Sequence, residues 1–91
     1  MDLIDAYLQT EPGHLPVLRA CLQNPQEQAK VECFSNLFNF QLDFAAGTLI
    51  VEDDTGVFAG KVPARTQTFA LQTVAARLKA AAAAHDARHS A

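Results

Sequence analysis

Three groups of side chains could do chemistry: the consecutive acids Glu52, Asp53 and Asp54, the histidines His85 and His89, and the cysteines Cys21 and Cys33. A hard cation needs several oxygen ligands from a loop of defined spacing. The segment "EDDTG" lacks that spacing, and no distant carboxylate group joins it. It reads as a solvated turn. The functional role open to it is an acidic docking patch, to which Asp43 contributes from the other end of the same hairpin. Such a field speeds encounter with a basic partner.

His85 and His89 are four residues apart and share a helix face, the spacing of a two-histidine metal grip. The segment "HDARH" lacks the glutamate that follows the first histidine in zinc proteases, so the pair reads as the amphipathic end of a helix. A metal-binding or small enzymatic domain using these histidines and nearby acids is the alternative reading. His14, beside Gly13 and Pro16, reads as a local cap. Cys21 and Cys33 have neither zinc nor redox-motif spacing. Each falls in an apolar helical pattern as a small buried hydrophobe, and a disulfide between them requires the helices carrying them to pack together.

Other catalytic arrangements are unsupported. Ser35 and Ser90 have no nucleophile-elbow context. The four glycines are scattered and form no phosphate loop. Glu32, Asp43 and Glu52 could pair as acid and base, but nothing selects them. The expectation is a non-enzyme with no cofactor. Nucleic-acid binding needs a concentrated basic face. Arg77 and Arg88 align on the last helix while Lys79 points elsewhere, and no aromatics interleave with them, so nucleic acid is not the expected partner.

These residues must be positioned by one small domain. The 91 residues suffice for one core, taken as residues 1–84 with a frayed tail over 85–91. The net charge of −3 hides an asymmetry: residues 1–60 hold nine acids against two bases, residues 61–91 five bases against one acid. No run of apolar residues approaches a membrane span, and "MDLIDAYLQT" lacks the basic and apolar regions of a signal peptide. The expected compartment is the cytoplasm.

The periodicity predicts a helix over residues 2–10, stopped by "TEPGH", and a second over Leu15–Gln23. "NPQE" predicts a helix from Pro25, with Asn24 as cap and Glu27 reaching back. Its end is ambiguous. A helical stripe through Val31, Phe34, Leu37, Phe38 and Leu42 reaches Gly47, yet Phe38, Phe40, Leu42 and Phe44 alternate strictly with Asn39, Gln41 and Asp43. The helix would expose Phe40 and Phe44, so the strand is favoured. Thr48–Glu52 reads as the return strand, "DDTG" as a turn, "VFAGKV" as a third strand, and "ARTQTF" as strand or loop. The last helix starts between Thr66 and Leu71, with Leu71, Val74, Ala75 and Leu78 buried.

The expected fold is therefore α+β and two-layered: N-terminal helices, a small antiparallel meander over about residues 38–69, and a C-terminal helix on one sheet face. The expected function is non-catalytic protein–protein binding. In size, charge and element order the chain is broadly like small acidic inhibitors such as immunity proteins, and like small secretion chaperones, with no shared motif. The expected partner is another protein, basic by charge complementarity. A homodimer through the alanine face of the last helix or a sheet edge is a further arrangement. Exposed sheet rings would anchor the partner, and exchanging Asp53 and Asp54 for lysine is expected to abolish binding without unfolding the domain.

Overall fold

The computed structural model describes residues 1–23 and 30–89, with side chains as far as residue 86. Helix α1 (Leu3–Thr10) opens on Asp2, whose carboxylate accepts from the Asp5 N–H at 2.8 Å. That bond satisfies a donor left unpaired in the first helical turn. Leu3, Ile4, Ala6 and Tyr7 are fully buried. A 3-10 turn at Pro12–His14 runs directly into α2 (Leu15–Gln23), which buries Leu15 and Leu18.

Four strands follow: β1 (Lys30–Phe34), β2 (Phe38–Asp43), β3 (Thr48–Asp53) and β4 (Thr66–Ala70). They form one antiparallel sheet in chain order. Helix α3 (Leu71–His89) starts where β4 ends, within the expected window, and continues through residues expected to form a frayed tail. All three helices pack on the same sheet face, which is the two-layer α+β arrangement.

The strand reading of "FNFQLDF" holds for residues 38–43. Phe38, Phe40 and Leu42 are buried, while Asn39, Gln41 and Asp43 face the other way. Successive side chains of a strand alternate between faces, and this pattern needs that alternation. Tyr7 from α1 meets both rings edge-on, 4.9 Å from Phe40 and 5.8 Å from Phe38 between centroids. Phe58 stacks on Phe38 at 5.4 Å. Such pairs add about 0.5–1.5 kcal/mol each beyond the area they bury.

Two expectations are corrected. The helix from Pro25 does not run through Val31 and Phe34, because Lys30–Phe34 is strand β1, paired from Lys30↔Asp43 to Phe34↔Asn39. As a strand the segment turns Val31 and Cys33 to the core and gives β2 a second hydrogen-bonded neighbour. Cys33 is thus on a strand, and the Asn24 cap lies outside the described residues. "VFAGKV" is likewise not a strand. It is a loop of tight turns, with Ala59 N–H bonded to Gly56 O and Lys61 N–H to Phe58 O. Gly56 and Gly60 take positive φ of 75° and 82°, a conformation L side chains rarely adopt. The place beside β3 goes to "TQTFA", past Pro63, which cannot donate to a ladder.

Candidate partner-binding face

Asp53 is the last residue of β3 and is 1% exposed, because it is in register with Leu49 and Val51 on the core side. Its carboxylate accepts from the Gly56 N–H and the Phe58 N–H, both at 3.0 Å. Its own N–H donates to Arg65 O at 2.9 Å. Asp53 therefore shapes the loop and seats Phe58 against Phe38. The expectation that lysine at Asp53 would leave the fold intact is corrected: an ammonium there would lie buried, facing two backbone donors.

Glu52 and Asp54 are the acids the tip presents to solvent, Glu52 partly exposed and Asp54 exposed. Asn39, opposite Glu52 on β2, donates through Nδ2 to Glu52 Oε1 at 3.2 Å and to Asp54 Oδ1 at 3.1 Å. One amide thus holds two carboxylates side by side. Arg65 braces the turn from behind, Nε to Asp53 O and a terminal nitrogen to Asp54 O, both at 2.9 Å. Its positive charge offsets part of the tip's negative charge.

Asp43 lies at the other end of β2, and the register separates it from the Asn39 level by four residues, about 13 Å along the strand. Its carboxylate accepts from Ala46 N–H at 3.0 Å, and its carbonyl from Gly47 N–H at 2.8 Å. Gly47, at φ 70°, closes this turn in the left-handed conformation. Of the four acids singled out in the sequence, the fold brings Glu52 and Asp54 together. It buries Asp53 and places Asp43 at the opposite end.

The sheet face away from the helices carries Lys30, Glu32 and Phe34 from β1, then Asn39, Gln41 and Asp43 from β2. Thr48, Ile50 and Glu52 follow from β3, and Thr66 and Thr68 from β4. No described element covers it. Phe34 is 60% exposed, and a hollow of about 180 Å³ lies between Lys30, Glu32, Gln41, Asp43 and Ile50. Asn39, Arg65 and Phe34 were not identified as site residues in the sequence. The alternation of "FNFQLDF" places Asn39 on the outer face, but its bridging role depends on β3 lying opposite.

A second hollow, about 460 Å³ and open to solvent, lies between the 3-10 turn and the end of β1. His14 donates from Nε2 to Phe34 O at 2.9 Å, since a carbonyl only accepts. Its Nδ1 therefore receives the Tyr7 hydroxyl at 2.8 Å. Both ring nitrogens are engaged, so His14 is no base for Ser35. Ser35 Oγ instead donates to the Glu11 carboxylate, which also accepts from Asn36 N–H at 3.1 Å. These bonds join the turn after α1 to the end of β1.

The charge asymmetry is partly consumed inside the fold. Arg77 of α3 meets Asp2 at 2.8 Å and Asp5 at 2.6 Å. The guanidinium holds the Asp2 carboxyl below its ordinary range, and Asp2 in turn raises Arg77. The last helix thus spends a base on α1. His85 is exposed on α3, and the side chain of His89 lies outside the described residues. Among the described residues no three His, Cys, Asp or Glu side chains gather as a metal site. No described helix is long and apolar enough to cross a membrane. Comparison with protein-family models, curated proteins and solved structures finds no match.

Proposed function

We propose that the protein is a non-catalytic cytoplasmic binding module that docks a basic protein surface on its uncovered sheet face. The observation carrying this reading is the Glu52–Asn39–Asp54 cluster at the edge of that face. Two carboxylates held together by one amide repel each other, and a lysine or arginine from a partner would relieve that repulsion with charge-assisted bonds. Glu32 and Asp43 extend the negative field, which favours fast encounter. Phe34 supplies an aromatic anchor of the kind that dominates binding energy. The reading is of an inhibitor- or chaperone-like module, its charges and its exposed ring lying on one open sheet face.

The test is quantitative affinity capture from the source cells, comparing the wild type with Glu52→Lys/Asp54→Lys. Arg19→Glu, on the helical side, is the control. Both substituted acids are at the surface, so folding is retained. Capture of the basic partner is expected to fall about tenfold or more with the double variant and to persist with the control. Equal capture by all three proteins would refute the reading.

A further inference from the structure

The fold brings together two side chains that the sequence kept apart. Cys21 is in the last turn of α2, partly exposed, while Cys33 is buried on β1 opposite Phe40. α2 packs directly on β1. The two cysteines are free, both belong to the one hydrophobic cluster, and Cys21 is among the neighbours that raise the Cys33 thiol. Cys21 is the more exposed of the two, and Cys33 lies on the core side, on the strand that α2 packs against. An accessible thiol beside a buried one is the arrangement in which an attacked sulfur finds its resolving partner without diffusion.

We propose that Cys21 and Cys33 form a thiol–disulfide site that exchanges with low-molecular-weight disulfides of the glutathione class and closes a bond between α2 and β1. Cys21, as thiolate, attacks one sulfur of glutathione disulfide. That S–S bond breaks, a protein–glutathione mixed disulfide forms, and the first glutathione leaves as thiolate. The Cys33 sulfur, as thiolate, then attacks Cys21, forming the Cys21–Cys33 bond and releasing the second glutathione. The two protein thiols lose two electrons in all, glutathione disulfide gains them, and the two thiol protons end on the two glutathiones. The bond closes a loop around residues 22–32. It lies on the helical side of the sheet, so the site is independent of the docking face.

Burial and the Cys21 contact push the Cys33 thiol up to about 12, so the second step is slow near neutrality and accelerates as pH rises. The experiment incubates the full chain with glutathione redox buffers of increasing disulfide fraction. Intact mass, alkylation after denaturation, and peptide mapping are then read. The expected result is a monomer lighter by two hydrogens, both thiols lost to alkylation, a Cys21–Cys33 linked peptide, and full reversal by dithiothreitol. Cys21→Ser, which changes a partly exposed residue, is expected to lose the intramolecular product and leave Cys33 alkylatable after denaturation. If that variant fails to fold, the wild-type peptide map decides alone. A stable glutathione adduct that never resolves, a disulfide-linked dimer, or two thiols still alkylated in strongly oxidising buffer would each overturn the proposal.

Discussion

Replacing Asp53 by alanine removes the carboxylate that organises residues 54–65. The two bonds it accepts, from Gly56 and Phe58 N–H at 3.0 Å, are charge-assisted, and such bonds contribute about 1.5–3 kcal/mol each. The Phe58 N–H is buried and would keep no partner. Phe58 itself, 7% exposed, depends on this turn to reach Phe38. A loss of about 3–5 kcal/mol follows. A domain of this size has roughly 5–14 kcal/mol in total, and each kcal/mol moves Tm by about 4–8 °C. The variant should therefore melt at least about 12 °C lower by circular dichroism, or be unfolded at room temperature. Asp54→Ala loses one exposed contact with Asn39 and should fall within about 0.5 kcal/mol of wild type. Amide exchange at Gly56 and Phe58 should accelerate in the Asp53 variant before the rest of the sheet. If both variants melt within a few degrees of wild type, the assignment of Asp53 as the organiser of the loop is wrong.

Arg77→Gln should cost about 1 kcal/mol, because its carboxylate partners are partly exposed, and the loss should shrink in high salt. The Asp2 carboxyl is depressed in the folded state. Its contribution is therefore fully present above the unfolded value near pH 4 and is lost as pH falls through the lower folded value; urea midpoints between about pH 2 and 5 should show an acid limb that is weaker in Asp2→Asn. The Cys33 thiol is raised to about 12 and the Tyr7 hydroxyl is raised by burial. Their stabilisation is fully present below the unfolded values of about 8.5–10 and fades as pH rises towards the folded ones. Urea midpoints should thus decline above about pH 9, and iodoacetamide at pH 8 should label Cys21 in the native protein while sparing Cys33. Calorimetric titration with zinc is expected to show no stoichiometric binding, whereas saturation at one metal per chain that disappears in His85→Ala/His89→Ala would restore the metal-binding alternative.

The sequence by itself determined the elements whose side-chain period admits one answer. "LIDAYLQT" and "LPVLRACLQ" are helices because their apolar residues recur at three and four, whereas "FNFQLD" fits either period and is tipped to strand because a helix would expose Phe40. The α+β class and the two layers follow from those segments and from the apolar stripe of α3. Only the tertiary structure decided the rest. "KVECF" has a local pattern that serves helix or strand, and pairing with β2 selects the strand. "VFAGKV" has strand-like residues, yet the backbone donors of Gly56 and Phe58 find the Asp53 carboxylate and the segment turns. Consecutive Glu52, Asp53 and Asp54 are indistinguishable in sequence, but strand alternation sends one to the core and leaves its neighbours at the surface. The meeting of Cys21 with Cys33 depends on α2 packing against β1. Local patterns fix which face a side chain takes within its own element, whereas contacts between elements depend on packing across the whole chain.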